Sequence, residues 1–386
     1  MAEVISLCKN LEKELGRTPE DKISKSVPID IFYKVMALHA LDVKITLHCF
    51  EYERKASREL ELLCENVYYY KRQTGLKSNF TFLPYNVYSR KNEELIRNLL
   101  KNDYPILFEG LHSCYYISDD RLKNRKKIFR ECNIEHDYYY YLFQSTNHPV
   151  KKLFFLIEAL RFKIYQSIVK YADLIISVST EDQTYLQKTF PEKHIEFVPC
   201  FHKNEEITTI PGKSDFILYH GKLSVFENEK AVLFLIHKVF SKLPYTCIIA
   251  GMDPSDKIKN AAKPFPNIII EANPDENRMD YLIHHAQIST LITFQATGLK
   301  LKLLNSLFAG RHTLVNSHML AGSGLEALCF IENTPEQMIR CCHQLMAKPF
   351  DQETIKGREN YLFPTYSNKY QAERLCRMIY FSSNSE

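Results

Sequence analysis

Residues 288–316 read ISTLITFQATGLKLKLLNSLFAGRHTLVN, and this stretch decides the fold class. Its first part, Ile288 to Phe294, is a short apolar and β-branched run, which is typical of a buried strand. Apolar residues then recur at helical spacing from Gly298 to Ala309, and a second short run follows from His312 to Asn316. A strand, a helix and a strand in this order predict a βαβ unit with parallel strands.

The same alternation fills the rest of the second half. Asn228 to Leu243 has apolar residues at positions 232, 235, 236, 239, 240 and 243, the stripe of an amphipathic helix. Further predicted strands are Phe216 to Tyr219, Tyr245 to Ala250 and Asn267 to Glu271, and Glu276 to Ala286 is a further predicted helix. The sequence therefore predicts an α/β domain with a doubly wound parallel sheet.

The first half shows the same class of pattern. The 386-residue length of the whole chain predicts two domains. Predicted strands such as Val43 to Phe50, Ile106 to Glu109 and Leu174 to Val178 alternate with helices in the first half. The polar segment 200–214 contains Pro211 and Gly212 and is typical of a linker. We expect an N-terminal domain at 1–200, a C-terminal domain at 212–365 and a final helix within 366–386.

Composition excludes several classes of protein. Apolar residues make up 45% and charged residues 25% of the chain, as in ordinary globular proteins. The net charge of +4 gives no reason to expect nucleic acid as a partner. No apolar run is long enough to span a bilayer, and no secretory signal is visible. The eleven cysteines form no C-x-x-C or zinc spacing, so we expect reduced thiols, a cytoplasmic location and no metal site.

Glycine marks the first candidate site. Eight of the eleven glycines follow residue 211. One of them lies in Tyr219-His-Gly-Lys-Leu-Ser224, between a predicted strand and a predicted helix, where phosphates bind in parallel sheets. Gly221 can turn the chain against a phosphate, and Lys222 and Lys230 can supply charge. The alternative is an ordinary strand-to-helix loop.

A second candidate lies at the start of the helix in the opening stretch. Thr297 is a candidate N-cap, and Lys302 and Asn305 share one helical face because they are three residues apart. Lys300 faces away from Lys302 by roughly 200°. A lysine near a helix N-terminus opposes the helix dipole, so it indicates an anion nearby. The alternative is a solvated pair of lysines.

The first half holds weaker candidates. Six basic residues lie within Arg121 to Arg130 and precede a tyrosine run at 138–141, which could hold an anionic or membrane-embedded acceptor or be a solvated loop. Asn133, Glu135 and His136 follow a predicted strand, as does His112 in Phe108-Glu-Gly-Leu-His112. A lone histidine is also a common hydrogen-bonded structural residue, so this alternative stays open.

Together these segments resemble a glycosyltransferase of the GT-B fold, most similar to family four of the nucleotide-sugar-dependent enzymes. The resemblance extends from about Ile31 to Tyr380, and its most specific segment is Thr297-Gly-Leu-Lys-Leu-Lys-Leu-Leu-Asn-Ser-Leu-Phe-Ala-Gly310. The other segments are Val43-Lys-Ile-Thr-Leu-His48, Asn133-Ile-Glu-His136, Ala172-Asp-Leu-Ile-Ile-Ser-Val-Ser179 and His220-Gly-Lys-Leu223.

The resemblance implies two Rossmann-like domains facing across a cleft, with the final helix crossing back onto the N-terminal domain. It implies sugar transfer from a UDP- or GDP-sugar to a glycan or lipid-linked glycan, with retention and without metal or cofactor. The implied donor-site residues are Gly221, Lys222, Lys230, Thr297, Gly298, Lys302 and Asn305. His112 and Glu135 would border the reacting groups, and Asn133 and His136 would lie on the acceptor side. Polysaccharide biosynthesis at the inner face of the membrane, with peripheral contact, would fit this chemistry.

Two departures from the family pattern motivate an alternative. Thr297 and Asn305 stand where the family usually has two glutamates eight positions apart, and the stretch Ser24 to Asp30 lacks the glycines of the usual N-terminal loop. A GT-B protein that has lost catalysis and acts as a binding or scaffold component is therefore the second hypothesis. A nucleotide-sugar epimerase of the same fold is the third.

Overall fold

The computed structural model describes residues 2–5, 29–51, 58–75, 81–294 and 300–380. They form two compact units. The first unit holds the described residues up to Phe201 together with Asn368–Tyr380, and the second holds His202–Ser367. Each unit is built on its own sheet, in which every strand pair is parallel.

The sheet of the first unit has the strand order β3-β2-β1-β4-β5-β6-β7. Its strands are β1 (Ala2–Ile5), β2 (Ile45–Glu51), β3 (Asn66–Lys71), β4 (Ile106–Glu109), β5 (Lys127–Glu131), β6 (Leu174–Ser177) and β7 (Ile195–Phe197). Every residue of β4, β5 and β6 is buried, as expected for parallel strands covered on both faces by helices. The order reverses between β1 and β4, and ligands of such sheets bind at that point.

The helices of the first unit cover both faces of this sheet. They are α1 (Ile29–His39), α2 (Arg58–Leu63), α3 (Tyr85–Tyr88), α4 (Glu93–Leu99), α5 (Glu135–Ser145), α6 (Pro149–Tyr165), α7 (Thr180–Thr189) and α15 (Asn368–Tyr380). The last of them, α15, packs its Ala372 and Leu375 into the same core cluster as Val35 and Leu38 of α1. The chain therefore returns to the first unit at its C-terminal end.

The sheet of the second unit repeats the order of the first six strands of the other sheet. Its sheet has the order β10-β9-β8-β11-β12-β13 and reverses between β8 and β11. The strands are β8 (Phe216–His220), β9 (Thr246–Gly251), β10 (Ile268–Ala272), β11 (Ile288–Leu291), β12 (His312–Val315) and β13 (Phe330–Ile331). The helices are α8 (Phe226–Lys238), α9 (Asp256–Ala262), α10 (Glu276–His285), α11 (Leu301–Ala309), α12 (Ser317–Leu320), α13 (Pro335–Ala347) and α14 (Gln352–Tyr366).

The predicted α/β class with two parallel sheets is confirmed, while several element boundaries differ from the prediction. The strand predicted to reach Phe294 ends at Leu291, because Thr293 N–H is bonded to the side chain of Asn316 rather than to a neighbouring strand. Helix α14 continues through Pro364, and a new helix begins only at Asn368. Among the described residues, no helix combines the length and the apolar character needed to cross a membrane.

Candidate functional site

The end of β8 lies at the reversal point of the second sheet and is built around two glycines. Gly221 follows β8 with φ +153°, and Gly251 ends the adjacent β9 with φ +157°, both in the range that favours glycine. A Cβ on Gly251 would lie 1.8 Å from the carbonyl oxygen of Gly221. Only glycine at 251 lets the two strand ends approach this closely.

Lys302 lies in the first turn of α11 and faces these strand ends. Its Nζ donates to Asn228 Oδ1 at 2.9 Å and to Tyr219 Oη at 3.2 Å, and it lies 4.9 Å from the centre of the Tyr219 ring. Burial, with further repulsion from Lys300, lowers the pKa of Lys302 to about 7, although Glu227 opposes the shift. This cation is held by neutral groups, so it keeps its capacity to attract an anion.

Asn228, in the first turn of α8, ties the cluster together. Its Oδ1 accepts from Lys302 and from Tyr219 Oη, the latter at 3.1 Å, while its Nδ2 donates to the carbonyl of Lys222 at 2.8 Å. The Nζ atom of Lys222 is buried as well. The structure thus brings Gly221, the backbone of Lys222 and the side chain of Lys302 together around an asparagine that was not among the predicted site residues.

The other predicted donor-site residues are placed differently. Lys230 is exposed on α8, and its Nζ lies 4.8 Å above the ring of Phe294 rather than against Asn228. Asn305 accepts a hydrogen bond of 2.9 Å from the side chain of Asn204. Thr297 and Gly298 lie outside the described residues.

His220 adds a neutral group beside this cluster. Its Nε2 lies 2.9 Å from Ser306 Oγ on α11. Burial, and then the charges of Lys302 and Lys203, lower the pKa of His220 to about 3, so the imidazole is neutral at ordinary pH. The hydrogen bond to Ser306 therefore fixes α11 against the end of β8 without adding charge.

In the first unit, His112 and Glu135 lie side by side. His112 follows Gly110, whose φ of +76° turns the chain at the end of β4. The Nδ1 atom of His112 lies 3.7 Å from Glu135 Oε1, and both side chains are buried. Glu135 begins α5, where a carboxylate is favoured by the helix dipole. The pair could hold or transfer a proton.

Asn133 and His136 flank this pair in sequence. The backbone N–H of Asn133 donates to Glu131 Oε1 at 3.4 Å, and the residue is buried. His136 lies on α5 with its ring centre 5.8 Å from that of Tyr185 and its Nε2 3.5 Å from Asp137 Oδ1. Burial lowers the pKa of His136, although Asp137 opposes the shift.

A buried ionic cluster, formed by Asp30, Lys34, Glu109 and Arg130, lies at the reversal point of the first sheet. Lys34 pairs with Glu109, and Arg130 binds Asp30 at 2.6 and 3.0 Å and Glu109 at 3.2 Å. Burial raises the pKa of Asp30, but the charges of Arg130 and Lys34 outweigh it and the pKa is lowered. The cluster holds two positive and two negative groups, so its charges balance.

The same region holds a possible set of metal ligands. One ligand atom each from Asp30, Glu109 and Cys132 lies within 4.8 Å of the others. Both carboxylates already bind cationic side chains, Lys34 and Arg130. Their charge is therefore balanced by the protein itself, and these residues are a poor fit for a metal ion.

Most cations of the basic run Arg121 to Arg130 are buried in the first unit or paired with other groups of that unit. Arg125 is buried and donates to backbone carbonyls, including that of Tyr104 at 2.8 Å, and Lys127 and Arg130 are buried in β5. Arg121 is exposed but pairs with Asp119 at 2.6 Å. Most of this run therefore does not present free cations to solvent, in contrast to the solvated loop that was one expectation.

Comparisons with known proteins support the fold. No protein-family model matches the chain. A 149-residue segment is 30% identical to the "uncharacterized 44.6 kDa protein in cps region" of Klebsiella pneumoniae. This match covers 37% of the chain and 38% of the length of that relative.

Solved structures match over nearly the whole chain. Sucrose-phosphate synthase from Thermosynechococcus elongatus has a TM-score of 0.68 at 13% identity, with 98% of each chain covered. TarM has a TM-score of 0.66 at 9% identity, covering 98% of this chain and 99% of its own. HepE from Anabaena, solved with UDP and glucose, has a TM-score of 0.64 at 10% identity, with 98% and 99% covered. The chain has the GT-B fold of these glycosyltransferases.

Proposed function

We propose that this protein is a glycosyltransferase that binds a nucleotide-sugar in its second unit. The observation that carries the proposal is the group of Gly221, Lys222 and Lys302 around Asn228 at the sheet reversal point. A diphosphate is the ligand that suits a buried lysine ammonium and a close glycine turn at this position. One structural neighbour was solved with UDP and glucose, which supports a nucleotide-sugar donor.

The proposed chemistry is transfer with retention and without a metal. As the sugar leaves, negative charge develops on the diphosphate, and Lys302 and Lys222 would stabilise it. Each charge-assisted hydrogen bond is worth about 1.5–3 kcal/mol. The lowered pKa of Lys302 fits this role, since an arriving diphosphate would restore its proton.

We assign the acceptor to the first unit. The buried pair of His112 and Glu135 would act on the reacting hydroxyl, and Asn133 and His136 would contact the acceptor. A glycan or a lipid-linked glycan is the proposed acceptor, in polysaccharide biosynthesis. The relative named for a cps region supports this last assignment.

The proposal is tested by thermal-shift titration with UDP, GDP, ADP and CDP. Ligand binding stabilises the folded protein by RT ln(1 + [L]/Kd) and so raises its unfolding temperature, and a selective shift identifies the nucleotide. We expect Lys302→Ala to weaken binding of that nucleotide by about 1.5–3 kcal/mol. The matched control is Lys238→Ala, an exposed lysine on α8, which should bind as wild type does.

The outcomes separate the proposal from its alternatives. No shift with any of the four nucleotides, or equal binding by Lys302→Ala, would contradict the donor site. If the protein binds a nucleotide but neither transfers the sugar of any labelled nucleotide-sugar nor slowly hydrolyses it, the scaffold hypothesis is supported instead. The hydrogen bond that engages Asn305 with Asn204 is the observation that favours this second candidate, because it leaves Asn305 less free to bind a ribose. An epimerised nucleotide-sugar formed without any acceptor would support the third hypothesis, a nucleotide-sugar epimerase.

A further inference from the structure

Helix α6 of the first unit carries apolar side chains on two opposite faces. One face is buried: Phe162 and Ala159 belong to the main core cluster of this unit. The other face is exposed to solvent. Its members and their exposed fractions are Val150 (70%), Leu153 (59%), Phe154 (37%), Ile157 (39%), Leu160 (56%) and Ile164 (77%).

Helical geometry places these six residues, here called the outer face of α6, along one side of the helix, together with Arg161, which is paired with the buried Glu158. At 100° per residue they fall within an arc of roughly 120°, almost opposite Ala159 and Phe162. The strip runs from Val150 to Ile164, about 14 residues or roughly 21 Å of helix. A monomeric soluble protein rarely exposes a contiguous apolar strip of this length without a binding partner.

The charges around the outer face are positive. Lys151, Lys152 and Lys163 of α6 are exposed. The one acidic residue of α6, Glu158, is fully buried and binds Arg161 at 2.8 Å and the backbone N–H of Tyr85 at 2.8 Å. The exposed side of the helix therefore presents apolar groups and cations, without a carboxylate of its own.

Two of these lysines lie where local helix electrostatics disfavours them. Lys151 and Lys152 are in the first turn of α6, which begins at Pro149, and a cation there opposes the helix dipole. An anionic partner outside the helix would offset this cost. The position of the lysines is thus a second indication, independent of exposure, of the charge of the partner.

The neighbouring helix α5 packs through its Tyr139 against the side of α6 that carries Phe155 and Phe162, and it adds aromatic side chains there. Tyr140 is exposed, and Lys152 Nζ lies 5.2 Å above the ring of Phe143. Exposed lysines that flank an apolar strip are typical of helices that lie in the interface of a lipid bilayer.

We propose that the outer face of α6 binds an anionic lipid surface, lying parallel to it with the lysines at the headgroups. A second copy of this chain is a weaker occupant, because two such faces would bring lysines together without carboxylates between them. This surface differs from the basic run at Arg121 to Arg130, most of whose cations are buried or paired. The proposal does not depend on sugar transfer, since lipid binding is measured without a donor.

The test is co-sedimentation of the full chain with phosphatidylcholine vesicles, with and without phosphatidylglycerol. We expect binding only to the anionic vesicles, weakening as salt is raised. The double variant Leu153→Asp/Ile157→Asp should bind at least about tenfold more weakly, because two apolar groups no longer enter the bilayer. The matched control is Leu62→Asp, which alters a residue of α2 that is 73% exposed and should bind as wild type does.

A second pair of variants tests the charge. The double variant Lys151→Gln/Lys152→Gln should bind anionic vesicles more weakly, by about fivefold for each lysine removed. This factor corresponds to about 1 kcal/mol per charge. Its thermal stability should be equal to that of wild type or higher, because cations are removed from a helix N-terminus. Lys188→Gln, on the exposed surface of α7, is the matched control.

The outcomes are distinct. Equal binding to neutral vesicles, absence of binding to anionic ones, or wild-type binding by the aspartate variant would overturn the proposal. A wild-type dimer that the aspartate variant converts to a monomer, without vesicle binding by either, would show that the outer face pairs two copies instead.

Discussion

The two sheets reverse their strand order in the same way, yet the buried cations near the two reversal points have different partners. In the second unit, Lys302 is held by the neutral groups of Asn228 and Tyr219. In the first unit, Arg130 and Lys34 are paired with the carboxylates of Asp30 and Glu109. At equivalent places in the two sheets, Lys302 thus has neutral partners, whereas Arg130 and Lys34 have carboxylates as counter-ions.

The difference separates a binding role from a structural one. A buried cation with neutral partners carries a desolvation cost that an anionic ligand can offset, which suits a diphosphate site. A balanced ionic cluster has no such capacity, but it fixes α1, β4 and β5 because each partner is needed by the others. The pKa shifts follow this division, since that of Lys302 is lowered and that of Arg130 is raised well above its ordinary value.

Removing Arg130 should produce the largest effect. Arg130→Met leaves Asp30 and Glu109 buried without this cation, so we expect a loss of about 3–5 kcal/mol in the free energy of unfolding. Urea unfolding measures this quantity. Arg121→Met, which removes a paired arginine that is 48% exposed, is the control and should cost much less, because a surface ion pair contributes little to stability. Similar losses in the two variants would show that the cluster does not hold the first unit together.

Gly251→Ala tests the second unit. The new Cβ would meet the carbonyl oxygen of Gly221 at 1.8 Å at a φ that disfavours other residues, so β8 and β9 must move apart. We expect a loss of about 2–4 kcal/mol in stability, together with weaker nucleotide binding. Gly357→Ala is the control: it has open space around it within α14 and should be stabilised by about 0.5–1 kcal/mol. Unchanged nucleotide binding by Gly251→Ala would show that this glycine is not needed for the nucleotide site.

The fold could be predicted from sequence because apolar periodicity is a local property, whereas boundaries depend on particular contacts. The helix predicted from Asn228 to Leu243 ends at Lys238, since Val239 adopts φ −124° and ψ −67°, outside the helical range. Helix α6 begins at Pro149, with His148 as its N-cap, although its apolar run, Leu153 to Ile157, starts four residues later. Proline at the first helical position was a usable signal there.

The site was only partly predictable for a physical reason. Gly221 could be recognised because it follows a predicted strand, and Lys302 because it lies near the start of a predicted helix. Their common partner Asn228 depends on how α8 packs. The ionic cluster was missed entirely, because Lys34 and Glu109 are 75 residues apart in the chain. Its signal in the sequence was a lysine in the otherwise apolar helix IDIFYKVMALH. The roles of His112, Glu135, Asn133 and His136 stay predictions.

The smallest expected effect is a pH dependence that belongs to Lys302 alone. Because its pKa in the free protein is about 7, its protonated fraction falls about tenfold between about pH 6 and about pH 8, and nucleotide affinity should fall with it. Stability without ligand should change in the opposite direction. Above pH 7 the unfolded chain holds more protons at this site than the folded chain does, so the free energy of unfolding rises with pH until the pH reaches the ordinary pKa of lysine. Lys302→Met should lose both trends, and comparing it with wild type cancels the titration of the nucleotide itself. Calorimetric affinities and unfolding free energies measured across this range check the two signs, and parallel profiles for the two proteins would show that Lys302 is not the charge that binds the diphosphate.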